Sequence, residues 1–372
     1  MAYGPFKYPP LDQEKSQFRL LQILPQPDSA LQYSLSTFDI AECPPYITLS
    51  YVWGDDEPSH SIILNGQPFL IRNNLNDALP RLARLGRSKH AAFRREERHF
   101  WIDAICIDQG DIRERGHQVE RMAEIYTKSA LTFAWLGHPI EDITSGTIPP
   151  LASSMGGHLF YLFKFAVYPY FQRMWIVQEI LLSRSVWVAC GDNIYDLDKI
   201  VLGADFDLPP KRMYITVPGR AEYPYLSLYH LLHQRRSRAS CLRDPAHELE
   251  PFLPSVDSLV LLCHDKQCRD PRDRVFALRG FFSQEVLRAS PYPVDYGMAL
   301  ADLYRQTVEF FALDRLDLDA RRVGGPPRTS IATYLASALE CEELLPEDQR
   351  DAFRFIQDTK PRRVCGTRNR GY

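Results

Sequence analysis

A nearly continuous apolar run with one acid inside it, HFWIDAICI over 99–107, constrains this chain more than any other segment. The run predicts a buried central strand, and such strands belong to parallel sheets covered on both faces. Asp103 inside it is costly unless paired or functional. An amphipathic helix is predicted next, over 111–130, with Val119, Met122, Ala123 and Tyr126 in one stripe. LTFAWLG (131–137) then reads as a strand. Upstream, ITLSYVW (47–53) is a β-branched, aromatic strand that stops at Gly54-Asp55-Asp56. Downstream, an aromatic segment runs into a helix near Phe171–Leu182, and SVWVACG (185–191) is another short strand. This alternation predicts an α/β fold: a parallel sheet flanked by helices, with 47–53, 100–107 and 131–136 as neighbours.

The remainder is organised around that unit. FRLLQIL (18–24) and QYSLSTFDI (32–40) read as strands, a β-rich N-terminal elaboration. SIIL and QPFLI flank Asn65-Gly66, a strong hairpin signal. Asn73 or Asn74 caps a helix with Leu75, Ala78, Leu79 and Leu82 on one face, interrupted by Pro80. Arg84 to Arg98 reads as an exposed connection. The predicted division is a loose leader (1–17), a main domain (18–192) and a mainly helical C-terminal region with a frayed basic tail (193–372). Helices are expected at LYHLLHQRR, at SLVLLCH, after Asp270-Pro271 and over 298–312.

Composition narrows the function classes. The 372 residues are 45% hydrophobic and 24% charged with a net charge of −3, so there is core enough to fold and no global basic field for nucleic acid. The longest apolar stretch, His158 to Phe171, is broken by Lys164 and Pro169 and is too short to span a bilayer. MAYGPFKYPP lacks the build of a signal peptide, and eight scattered cysteines read as reduced thiols in the cytoplasm. Phosphate-loop, GxGxxG, GxSxG and HExxH motifs are missing. Cys263, His264 and Cys268 lack a second pair, so no metal site is assigned. Cys106 reads as a buried inert thiol, and Arg235-Arg236-Arg238 as a solvated helix face.

Three features carry candidate chemistry. Trp53, Gly54 and Asp55 end the first strong strand, and Asp103, Asp108 and Gln109 lie at or near the end of another. Ligands of open parallel sheets bind beyond the carboxyl ends of the strands. Asp103 is thus either a ligand-orienting acid or a cap for loop amides. In RMWIVQEI (173–180), Trp175 and Glu179 are four apart and share a helical face. A carboxylate beside an indole suits a sugar-cleaving site, where the acid stabilises an oxocarbenium-like centre. The residues alone favour a plainer reading, an amphipathic helix with Trp in the core and Glu at its rim.

Together, YITLSYVWGD (46–55), NNLNDAL (73–79), FWIDAICIDQGDIRERGHQVERMAEIY (100–126), FAWLG (133–137) and RMWIVQEI (173–180) resemble the fungal heterokaryon-incompatibility (HET) domain. DPRDRVFALRG (270–280) and VDYGMALADLY (294–304) look like the region that often follows it. The resemblance implies a cytoplasmic effector of nonself recognition that triggers programmed death. HET domains also look like distant relatives of Toll/interleukin-1 receptor (TIR) domains, which are flavodoxin-like and often cleave NAD⁺. That likeness implies Glu179 as the catalytic acid, Trp53 or Trp175 stacking on a ring, Asp103 orienting a ribose hydroxyl, and no cofactor beyond NAD⁺ as substrate. It also implies a homo-oligomer when active, with recognition lodged in a separate sensor protein or in the C-terminal region itself. The alternative is a non-catalytic, self-assembling scaffold of the same fold. Glu179→Gln is expected to abolish activity and leave stability unchanged.

Overall fold

The computed structural model of the protein describes residues 6–24, 31–85, 99–139, 168–203, 224–242, 262–263, 266–282, 287–288, 294–313, 335–336 and 338–344. The strands among them are β1 (Gln17–Leu24), β2 (Gln32–Asp39), β3 (Tyr46–Tyr51), β4 (His60–Leu64), β5 (Gln67–Ile71), β6 (His99–Trp101), β7 (Leu131–Trp135), β8 (Val186–Cys190) and β9 (Asn193–Asp196). They form one sheet in the order β5-β4-β2-β1-β6-β3-β7-β8-β9. The run β6-β3-β7-β8 is parallel throughout, so the three expected strands are indeed neighbours. β1 joins β6 antiparallel, and the β4/β5 and β8/β9 hairpins close the two edges. The sheet is therefore mixed, with a parallel centre. Every residue of β3 and β7 is buried, as strands covered on both faces must be.

Strong local signals hold. Asn65 and Gly66 adopt φ of 49° and 75°, the left-handed pair a two-residue hairpin requires. Helix α1 (Asn73–Leu85) buries Leu75, Ala78, Leu79 and Leu82, and it continues through the exposed Pro80.

The apolar run 99–107 is not one strand. β6 stops at Trp101, and Asp103–Cys106 forms a single helical turn, α2. Asp103 Oδ1 accepts the Ala104 N–H at 2.7 Å, and Ile105 and Cys106 bond back to the Ile102 carbonyl. The turn is apolar because Ile105, Cys106 and Ile107 are buried, and apolarity without period cannot separate a strand from a buried turn. Helix α3 (Ile112–Lys128) follows. Its Asp111 cap accepts the N–H groups of Arg113 and Glu114.

The expected helix over 171–182 is also shorter. A 3₁₀ turn covers Pro169–Gln172, and the extended backbone of Arg173 pairs with Gln267. Helix α4 is only Ile176–Leu181. Pairing with a residue from far along the chain holds Arg173 out of the helix.

Helices α5 (Leu197–Gly203), α6 (Pro224–Cys241), α7 (Asp273–Phe276) and α8 (Leu300–Leu313) complete the described set. The arginine cluster on α6 is not a solvated face, since Arg235 and Arg238 are buried. Arg235 is fully buried, pairs with Asp198 at 2.6 Å and donates to the carbonyls of Ile180, Ser183 and Arg184. It thus caps the end of α4. Arg272 bonds Asp270 and the Met298 carbonyl, within the C-terminal segment. That segment lies on α3: a Cβ at Gly116 would sit 2.9 Å from the Val294 carbonyl oxygen, so only glycine permits this approach. Within the leader, Phe6 and Tyr8 pack edge-on against Phe69.

No described helix is long and apolar enough to cross a membrane. The connection after Leu85, most of SLVLLCH and the basic tail lie outside the described residues.

Candidate functional site

Four side chains converge where β3 ends. Ser50, the second-to-last residue of β3, donates to Glu179 Oε2 and lies 2.7 Å from the Tyr170 hydroxyl. Arg173 grips the same carboxylate with both terminal nitrogens, each at 3.1 Å. Glu179 is 1% exposed, Ser50 1% and Tyr170 0%. A carboxylate this deep requires a cation and hydrogen bonds, and it has both. Burial, and then the nearby Glu179, push the phenols of Tyr170 and Tyr126 upward.

Asp103 adds a second acid. Its Oδ2 accepts the Trp53 indole N–H at 3.0 Å, and its main-chain oxygen accepts the Gln109 amide at 3.0 Å. Desolvation pushes its carboxyl up to about 6; Arg173 opposes the shift and Glu179 reinforces it. Two carboxylates therefore share one guanidinium. Arg72, the other cation beside Trp53, stacks over the indole at 5.4 Å and donates to the Asp56 carbonyl.

The loop above this cluster is built by local chemistry. Gly54 has φ +83°, and a Cβ there would also strike Asp56 Oδ1 at 2.5 Å. Asn74 donates to the Val52 carbonyl and accepts from the Trp135 indole, tying together the carboxyl ends of β3 and β7. Asp56 caps α1 by accepting the Asn73 N–H.

Of the sequence-predicted residues, the fold gathers Trp53, Asp103, Gln109 and Glu179, with Gly54 and the exposed Asp55 continuing the loop. Asp108 turns back to accept the Gly110 N–H, while its own N–H donates to Glu114. Trp175 does not share an environment with Glu179. Its side chain hydrogen-bonds Asp273, whose carboxyl burial pushes up to about 6 and which also accepts from Tyr296. Arg173, Ser50 and Tyr170 escape a reading of the sequence. A signal for Arg173 exists, since it opens the same RMWIVQEI segment. Cys106 is buried as expected, its thiol pushed up to about 12 by desolvation. No three metal-ligating side chains cluster among the described residues; His264 lies outside them.

The fold and this cluster define an α/β protein with a charged, buried centre at the carboxyl end of its parallel strands. Residues 46–153 match the family described as heterokaryon incompatibility protein (HET). Heterokaryon incompatibility protein 6, OR allele, of Neurospora crassa is 34% identical over 139 residues, 36% of this chain and 20% of that protein. Vegetative incompatibility protein HET-E-1 of Podospora anserina is 26% identical over 148 residues, 38% of this chain and 9% of that protein. The alignments thus span a fifth or less of these relatives' own length. No solved structure matches.

Proposed function

We propose that the chain is a death-inducing effector of fungal nonself recognition, acting in the cytoplasm by cleaving NAD⁺. The strand order β6-β3-β7-β8 supports a flavodoxin-like, TIR-like reading, because the first parallel strand is flanked by the second and third. One observation carries the chemistry: an acid pair, the buried Glu179 and the half-buried Asp103, beside the carboxyl end of β3, where open α/β sheets bind ligands.

In this mechanism the nicotinamide–ribose C–N bond breaks and its electron pair passes to the ring nitrogen, neutralising the ring. Glu179 stabilises the oxocarbenium-like ribose, and Asp103 orients a ribose hydroxyl. Water then bonds the anomeric carbon and loses a proton, giving ADP-ribose. Trp53 is the aromatic left to stack, since Asp273 engages Trp175. Gly54, Asp55, Asp108 and Gln109 shape the rim. Activity is assigned to a homo-oligomer, with recognition lodged in a separate sensor or the C-terminal region.

A non-catalytic, self-assembling scaffold is the rival, and the near-complete burial of Glu179 against Arg173 favours it. Inducible expression in a fungal host, scoring death and cellular NAD⁺ together, separates the two. Loss of both effects in Glu179→Gln supports cleavage. Death with NAD⁺ intact in both variants supports the scaffold.

A further inference from the structure

A surface cavity of about 130 Å³ shares no residue with the Glu179 cluster. It opens between the second half of α1 and the β8–β9 hairpin. Leu85, Phe133 and Ala189 form an apolar floor, and Ile194 projects beside them, 41% exposed. Both walls are held in place. Leu79, Leu82 and Leu85 bury one face of α1, and Asn74 ties its start to β3 and β7. Gly191 N–H donates to the Gly137 carbonyl at 2.9 Å, which anchors the turn carrying Asp192. The cavity is therefore preformed, as small-molecule sites usually are.

Charge at its mouth is uneven. Asp192 Oδ1 accepts a hydrogen bond from Arg81 and lies 3.7 Å from Arg84 Nη1, too far for a second one. Arg84 sits in the last turn of α1, where a cation complements the helix dipole, but that interaction occupies none of its donors. Two guanidinium groups thus face one carboxylate, and one positive charge is in surplus. The Arg84 side chain is 66% exposed, so an incoming group reaches it with the Arg81–Asp192 pair intact.

We infer that this cleft is a second ligand site, and that it takes a small organic anion with one ring-sized apolar body. Magnitudes select that class. An exposed ion pair contributes at most about fivefold in affinity, so a bare anion is not retained. A cation meets the surplus positive charge and is repelled. A neutral ring gains the apolar wall alone. The volume is close to that of a cavity that binds one benzene ring, so larger fused systems exceed it. Ile194 and the floor cover the ring, and Arg84 receives the anion. The assignment is independent of NAD⁺ cleavage and survives its absence.

The test is a saturation-transfer NMR titration of the full chain with four probes. Benzoate carries ring and anion, benzamide the ring without charge, benzylammonium the ring with a cation, and acetate the anion without a ring. Benzoate is expected to bind about fivefold tighter than benzamide. Acetate and benzylammonium should show no saturable binding over the same range. Arg84→Gln, at an exposed position, should bring benzoate level with benzamide. Ile194→Ser, at a partly exposed one, should weaken both by about threefold. Equal binding of benzoate and benzamide to the unaltered protein, or no saturable benzoate binding, overturns the inference without recourse to any variant. A benzoate preference that persists in Arg84→Gln overturns it as well.

Discussion

Two buried arginine–glutamate pairs have nearly the same geometry and opposite surroundings. Arg19 binds both oxygens of Glu114, at 2.6 and 2.8 Å, and also donates to the carbonyls of Pro9 and Cys106. Glu114 accepts in addition the Asp108 N–H. One cation meets one acid, and backbone groups absorb what is left over. Arg173 and Glu179 are likewise bidentate, but Asp103 stands beside them as a surplus acid with its carboxyl pushed up to about 6. The difference is charge balance. A closed pair holds leader, β1, α2 and α3 together, whereas the other keeps a second acid beside a guanidinium already engaged, the kind of charge imbalance that functional sites concentrate.

The largest effect expected is from Arg19→Met, which leaves Glu114 buried without its cation and should cost about 3–5 kcal/mol in denaturant unfolding. A loss below that of Glu179→Gln would make the two pairs equivalent and break the comparison.

Glu179→Gln is expected to lower nicotinamide release by about 10²–10³, the effect of deleting one preorganised electrostatic contact. The expectation that it leaves stability unchanged gives way, because the carboxylate accepts from Arg173 and Ser50. Unfolding stability should fall by about 1–2 kcal/mol, since the partly exposed Arg173 regains water when its partner is lost. A fall as large as that of Arg19→Met would assign Glu179 to structure first.

The smallest effect sharpens the comparison most. The Asp103 carboxyl is raised from 3.8 to about 6, so between those values the native state holds more protons than the unfolded chain. Stability from this group is therefore present below about pH 4 and lost as pH rises through about 6. Asp103→Asn removes the titration while keeping an acceptor for the Trp53 indole. Relative to the unaltered protein, the variant should be more stable at about pH 7 than at about pH 4, by about 2 kcal/mol. Melting curves at the two values check this, and an equal difference at both would show that the second acid is not strained.

What could be read without coordinates was local. The Asn65-Gly66 turn, the α1 stripe and the strand–helix alternation of the parallel unit follow from neighbours within a few positions, where backbone geometry and burial period dominate. Glu179, Asp103 and Trp53 were nameable as candidates because an acid in an apolar run or beside an indole is conspicuous. Their relations were not. Ser50 and Glu179 are 129 positions apart, Arg19 and Glu114 are 95 apart, and Arg235 reaches the Ser183 carbonyl across 52. A sequence lists charges but not their neighbours, and whether an arginine is solvated, as Arg235 was expected to be, depends on which segments close over it. The same holds for the ends of β6 and α4. One stops because the chain turns inside the core, the other starts late because Gln267 pairs with Arg173. Sequence thus determined the elements and the suspects. Tertiary structure alone decided which charges meet, because pairing energy falls with distance in space and is indifferent to distance along the chain.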